Sequence, residues 1–267
     1  MSEVPLVSCI CLTYNRPPAH EWLVEEALKS FLVQDYPRKE LIILSDCPGQ
    51  FLSFQSPDVL VVNVNRRFHS LGEKLNAAVG LARGDFIALW DDDDISLPWR
   101  IPLSIQAIGD ADYYNPSQYW FIDSEGLHID HAMGLAHHCS ILSRRAFDFV
   151  GGYPHSSGAQ DLEMDRRLRE HPDVQIATRE PLDPAHWYYI YRWGVSAVHL
   201  SGRLPHDEWY EQIGEFPIRP GTYHLNPWWR EDYVAKVRSA PGARSDPGPP
   251  TRVSSATPRE GISQWPA

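Results

Sequence analysis

Four consecutive carboxylates, Asp91-Asp92-Asp93-Asp94, are the densest chemistry in this sequence. Adjacent carboxylates repel one another, so the cluster is costly unless a cation or solvent relieves it. It follows directly on an apolar run, Phe86 to Trp90, and precedes Leu97-Pro98. A short run of large apolar residues set off by Gly84-Asp85 reads as a buried strand of a parallel sheet. Open α/β sheets bind ligands at the carboxyl ends of their strands. Carboxylates at that place suit a hard divalent cation, which takes oxygen ligands and bridges to substrate phosphates. The competing reading is a solvated acidic turn leading into a helix that starts at Leu97-Pro98.

Two further carboxylates have informative surroundings. Asp46 ends the apolar stretch 40–45 and is expected on the same sheet edge as the acidic run. Asp161, in Gln160-Asp161-Leu162-Glu163-Met164-Asp165, is expected in the first turn of a helix, where backbone amides favour the ionised form. Such a group can cap the helix or take a proton from a nearby hydroxyl. Asp165, one turn on, has the spacing to pair with Arg169 and reads as structural. His128-Ile129-Asp130-His131 and His137-His138 match no well-defined zinc spacing and read as strand or turn histidines.

The elements that must position these groups follow from periodicity. Strands are expected over 6–12, 40–45, 59–64 and 86–90, with helices after the first and third. The first helix places Trp22, Leu23, Ala27, Leu28, Phe31 and Leu32 on one side and ends at Asp35-Tyr36-Pro37; the second covers 73–83. Strand, helix, strand, strand, helix, strand is the order of a doubly wound α/β nucleotide-binding half. Beyond it, a helix over 99–108 and an aromatic strand-like stretch over 112–123, broken at Asn115-Pro116, are expected. A strand over 136–142 precedes a helix over 144–150 capped by Ser143, then Gly151-Gly152-Tyr153-Pro154. An aromatic strand over 186–194 and closing helices over 205–215 and 227–238 complete the body.

The chain has 267 residues and a net charge of −11, which argues against a general nucleic-acid binder. Its four cysteines, Cys9, Cys11, Cys47 and Cys139, show no metal spacing and are expected to be reduced and buried. No signal peptide and no membrane-spanning run is visible, so a cytoplasmic protein is expected, with peripheral membrane contact left open. Residues 239–267, dominated by Pro, Gly, Ser, Thr and Ala, read as a disordered tail.

Several motifs resemble family 2 glycosyltransferases. They are Val7 to Asn15, Ser30-Phe31-Leu32-Val33-Gln34-Asp35-Tyr36-Pro37, Leu41 to Asp46, Lys74-Leu75-Asn76-Ala77-Ala78 and Ala82-Arg83-Gly84-Asp85-Phe86-Ile87. The acidic run before Leu97-Pro98 is similar to the family's Asp-x-Asp-Asp stretch, and Gln160 to Leu168 looks like its Glu-Asp-x-Asp-x-x-x-Arg-Leu, with Gln160 in place of Glu. The resemblance implies a GT-A fold: a Rossmann-like nucleotide-binding sheet with helices on both faces, in a single domain. Residues 1–100 would bind the nucleotide sugar and 101–238 the acceptor.

It also implies roles for particular residues. Thr13, Tyr14 and Asn15 would lie beside the nucleotide base, and Asp46 would hydrogen-bond it, usually as uracil. Ser45-Asp46-Cys47-Pro48 departs from the family pattern there, which leaves the base open. Lys74 and Asn76 would line the donor pocket. Asp91 and Asp92 would lie on the donor side, with Asp91 nearest the ribose and sugar; Asp93 would ligate a manganese or magnesium ion, aided by Asp91 and His199. Asp161 would be the general base. The implied activity is inverting transfer from a nucleotide sugar, a UDP-sugar first, to a hydroxyl of a glycan, lipid-linked or small-molecule acceptor in bacterial glycan or polysaccharide synthesis. Rival readings are a nucleotidyltransferase, whose Gly-rich phosphate loop is missing after the first strand, and a non-enzymatic carbohydrate-binding protein with an acidic cation loop.

Overall fold

The computed structural model describes residues 4–15, 22–131, 137–178, 182–192 and 217–240. Its centre is a six-stranded sheet in the order β4-β2-β1-β5-β10-β7. The strands are β1 (Val7–Thr13), β2 (Lys39–Ser45), β4 (Val59–Asn63), β5 (Phe86–Leu89), β7 (Tyr113–Tyr114) and β10 (Ile141–Ser143). β1 runs parallel to β2 and β5, and β2 runs parallel to β4; β10 turns antiparallel against β5 and β7. The parallel part is buried on both faces, which is why its strands are continuous apolar runs. Alternate residues face opposite layers. Cys9, Cys11, Leu41 and Ile43 pack with α1 (Trp22–Leu32), whereas Ile10, Ile42 and Leu44 pack with α2 (Leu71–Leu81). All four cysteines are free and buried, as expected.

Two small sheets flank the main one. β6 (Ile95–Ser96), β11 (Tyr189–Arg192), β8 (Gln118–Asp123) and β9 (Gly126–His131) form a second sheet in that order. The aromatic stretch 112–123 is therefore divided between two sheets at Asn115-Pro116. β3 (Gln50–Ser53), unforeseen in the sequence, pairs in parallel with β12 (Gly221–His224). This ribbon brings the segment 217–240 back onto the first half of the chain. There α6 (Tyr233–Arg238) is shorter than the expected helix; Trp229 docks on α1 through Nε1, while Trp228 stays exposed.

The layout of the second half of the chain depends on a turn against α2. α3 (Arg100–Ile108) follows β6, and α4 (Arg144–Phe149) follows β10 with Ser143 Oγ accepting from the Ala146 amide, as expected of a cap. Residues 137–139 form a 3-10 turn rather than the expected strand. Gly152, at φ +77°, lies so close to α2 that a Cβ would fall 2.7 Å from Asn76 Oδ1. Asn76 donates to the Tyr153 carbonyl and accepts from its amide, both at 2.8 Å. That seat delivers the chain to α5 (Gln160–Glu170). The first two residues of the expected tail 239–267 belong to the body, Ser239 as the C-cap of α6 and Ala240 packed on the core; the rest of the tail, the helix over 205–215 and His199 lie outside the described residues.

Candidate active site

The acidic run sits where the sequence places it, just past the end of β5, but it is not a solvated turn. Asp92, Asp93 and Asp94 are buried and Asp91 is half-buried. The run enters β6 before any helix begins. One phenol organises it: the Tyr189 hydroxyl lies 2.6 Å from Asp91 Oδ2 and 2.7 Å from Asp94 Oδ2. Asp94 Oδ1 also accepts from the Arg192 amide at 2.7 Å, and Arg192 Nε donates to the Asp93 carbonyl. Behind the run, Arg100 is buried and donates to Ser96 Oγ and to the Leu89 and His138 carbonyls at 2.6–2.7 Å.

The electrostatics of the loop follow from that packing. Burial pushes the Asp91 carboxyl up to about 7; Asp93 adds to the rise, while the Tyr189 hydrogen bond and Arg100 oppose it. Asp94 is also raised, by burial first and then by Asp93 and Asp91. A group bearing a second positive charge would relieve this crowding, so the donor set fits a hard cation chemically. No group of three or more His, Cys, Asp or Glu side chains is arranged to hold a metal among the described residues. Two carboxylates completed by phosphate oxygens and water are a common way to hold such a cation. Asp94, which sequence reasoning passed over, is tied to Tyr189 and Arg192 and acts as the anchor of the loop.

The ends of β1 and β2 form the other side of the edge. Lys74 is no solvated helix residue. Its Nζ is buried, pairs with Asp46 Oδ1 at 2.6 Å and donates to the Thr13 carbonyl at 2.7 Å. Asp46 Oδ2 accepts from the Phe68 amide at 2.9 Å. Both Asp46 oxygens thus have partners inside the protein, and the pair ties the ends of β1 and β2 to α2. Burial lowers the Lys74 ammonium, and Asp46 counteracts that shift. Asn76 is oriented by its two bonds to Tyr153. A cavity of about 90 Å³ opens on the other face of the same strand ends, lined by Thr13, Asn15, Ser45, Gln50, Tyr223 and His224 among others. Tyr14 lies outside this lining; the Arg67 guanidinium sits 4.6 Å from its ring centre.

Asp161 lies in the first turn of α5, as expected. The residue before the helix, Ala159, takes the left-handed conformation (φ 58°, ψ 18°) and provides no side-chain cap. Asp165 is held by Arg169, Nε to Oδ2 at 2.6 Å, and by the Tyr113 hydroxyl at 2.5 Å from Oδ1. His137, one of the suspect histidines, is fully buried between the Tyr113 and Tyr153 hydroxyls. The Tyr153 hydroxyl is raised by burial first, then by Tyr113, Asp161 and Asp91. It therefore lies within electrostatic reach of both the helix carboxylate and the acidic loop.

Sequence reasoning also missed Tyr189 and Arg100. Nothing local marks either: one belongs to an aromatic-rich strand and the other to an amphipathic helix, and their partners are brought to them by the fold.

Residues 8–132 match the family model described as glycosyl transferase family 2. The uncharacterized glycosyltransferase MJ1057 of Methanocaldococcus jannaschii is 35% identical over 106 residues, 37% of this chain and 36% of that protein. The putative colanic acid biosynthesis glycosyl transferase WcaA of Escherichia coli is 33% identical over 107 residues, 38% of this chain and 37% of its own. The matched stretch thus spans little more than a third of either relative. Among solved structures, S. aureus TarS 1–349 in complex with UDP-GlcNAc superposes with a TM-score of 0.53 at 16% identity, over 70% of this chain and 58% of that one. Its UDP complex gives the same TM-score. At that identity the likeness is one of fold. Residues 8–132 are thus similar to glycosyl transferase family 2, and the fold is of the GT-A type.

Proposed function

We propose that the chain is a cytoplasmic, inverting glycosyltransferase that moves a sugar from a UDP-sugar to a hydroxyl acceptor. The observation that carries this reading is the acidic loop at the end of β5, where burial holds Asp91 and Asp94 above the usual carboxylate range beside the ends of β1 and β2. The complexes of TarS with UDP and UDP-GlcNAc favour a uridine donor. WcaA and the succinoglycan biosynthesis protein ExoO of Rhizobium meliloti, 28% identical over 111 residues, favour a role in polysaccharide synthesis. Residues 1–100 would bind the donor and 101–238 the acceptor, with 241–267 as a tail.

In this reading Thr13, Tyr14 and Asn15 border the base, and the Asp46–Lys74 pair fixes the strand ends that carry them. Asp91 and Asp92 face the donor. Asp93 and Asp91 would hold manganese or magnesium, which supplies electrostatic stabilisation of the departing diphosphate. Asp161 takes the acceptor proton as the hydroxyl attacks opposite the leaving group, so one displacement inverts the anomeric centre. His199 keeps its proposed place as a further ligand.

A thermal-shift screen of nucleotide sugars with and without manganese tests the reading, because a ligand of the folded state raises stability by mass action. The expected result is a manganese-dependent rise with one UDP-sugar. A rise with a guanosine sugar alone would move the donor assignment, and no rise with any nucleotide sugar would overturn the function. Binding of glycan and calcium without nucleotide would favour the non-enzymatic reading; a rise with nucleoside triphosphates alone would favour nucleotidyl transfer.

A further inference from the structure

α5 begins without a local cap. Ala159 offers no side-chain acceptor, and Gln160 Oε1 is buried without a hydrogen-bond partner. The register of the helix is therefore set by tertiary contacts. Met164 and Leu168 are fully buried in the core shared with α2. Two polar contacts add to this: Arg167 Nη1 donates to the Gly152 carbonyl at 3.5 Å, and Asp165, four residues beyond Asp161 and so on the same helix face, accepts from the Tyr113 hydroxyl.

Counting hydrogens gives that contact a direction. Burial raises the Asp165 carboxyl, but hydrogen bonds from Arg169 and Tyr113 outweigh it and hold the group below its usual range. An ionised carboxylate only accepts. The single Tyr113 proton therefore points to Asp165 across the 2.5 Å contact. The His137 Nδ1 atom, 3.1 Å from the same oxygen, must then donate to it. Asn115 Nδ2 donates to that oxygen as well, at 3.2 Å. A neutral imidazole has one N–H, so Nε2 is left as the acceptor for the Tyr153 hydroxyl at 2.9 Å. The chain runs one way, from Tyr153 to His137 to Tyr113 to Asp165. It joins the turn seated on α2 to the helix that carries Asp161.

We propose that His137, held as the neutral Nδ1–H tautomer in this directed chain, is a positioning residue that sets the register of α5 and thereby the placement of Asp161. The inference rests on the proposed role of Asp161. A charged imidazole would carry an N–H on Nε2 as well, so the Tyr153 hydroxyl could no longer donate to it and that link would have to reverse. The charged groups around the ring are Asp161 and Asp165, which favour protonation, and Arg169, which opposes it; burial is the largest influence and also opposes it. Tyr113 and Tyr153 contribute only neutral hydroxyls.

Nitrogen-15 NMR of the full chain with labelled histidine tests the tautomer, with His137→Asn identifying the resonance. Asn places an amide N–H near Nδ1 and keeps the bond to Tyr113; if that variant does not fold, Tyr113→Phe identifies the resonance by its shift. The expected signal is a neutral Nδ1–H imidazole that stays neutral as pH falls through the ordinary histidine range. An Nε2–H tautomer, or ordinary titration, would overturn the chain. The functional arm uses turnover of the nucleotide sugar. Tyr113→Phe and Tyr153→Phe should each lower kcat about tenfold, with nucleotide affinity by calorimetry unchanged. Adding Tyr113→Phe to Asp161→Asn should cause no further loss, because coupled residues are not additive. Additive losses, or a fall in nucleotide affinity, would overturn the positioning role and leave Asp161 as the base. A wild-type rate in Asp161→Asn would instead remove the base and, with it, the positioning role, while the NMR signal still decides the chain.

Discussion

The carboxylates of the acidic loop and those of α5 are treated in opposite ways. Burial and mutual repulsion push Asp91 up to about 7 and raise Asp94, with a phenol as their shared partner. On α5, arginine hydrogen bonds pull Glu163 down to about 2, and those from Arg169 and Tyr113 outweigh burial at Asp165. Glu163 and Asp165 are neutralised within the protein, so they shape the helix. The loop carboxylates are crowded together, and an incoming charge would relieve them. In the proposed function this difference separates groups that would bind a ligand from groups that hold the helix, although both are runs of acidic residues in the sequence.

The largest expected effect is at the one α5 carboxylate assigned to chemistry. Asp161→Asn keeps size and most hydrogen bonding but cannot accept the proton, so transfer should fall by roughly two to four orders of magnitude. The loss should appear in kcat rather than KM, measured at saturating donor. A role as cap alone predicts near-normal rates, because Asn also caps well; Glu163 or Asp165 would then be the next candidates.

The comparison also predicts opposite pH dependences. Asp94 is raised in the folded state, so its contribution to stability is present at low pH and is lost as pH rises past the unfolded value. Asp94→Asn mimics the protonated acid: its amide can donate to the Tyr189 oxygen while its carbonyl keeps the Arg192 amide. The ligand-free variant should therefore melt about 2–4 °C above wild type at pH 8, a shift worth about 1 kcal/mol, and the gain should vanish near pH 4. Asp165 is lowered in the folded state, so its contribution is present at neutral pH and is lost as pH falls through its folded value. Asp165→Asn should melt below wild type at pH 7 and approach it in acid. Melting scans of the two variants across pH check both signs, and equal slopes would erase the distinction.

These differences explain what could be read from the sequence. The parallel strands, α1, α2 and the position of the acidic run were legible because burial on both faces leaves long apolar runs and helical periodicity. The Ser143 cap and the Asp165–Arg169 pair were legible because they are local. The Asp46–Lys74 pair spans 28 positions, Tyr189 reaches Asp91 across 98, and β3 meets β12 near the other end of the chain. No local pattern encodes such contacts. The division of 112–123 between two sheets had a local sign in Asn115-Pro116, but the second sheet it enters is built from distant strands.

The smallest expected effect is at the tail. Its composition predicts that deleting residues 241–267 leaves melting temperature and turnover nearly unchanged. A large loss of either would show that the tail contributes to the body or the site.

The most direct test of the account is calorimetric titration of UDP into wild type and Asp93→Ala, each with manganese and with chelator. The account predicts manganese-dependent binding by wild type, and loss of that dependence in Asp93→Ala with the melting temperature preserved. Equal affinity in both proteins with manganese present would contradict the assignment of the β5 acidic loop as the donor and cation site.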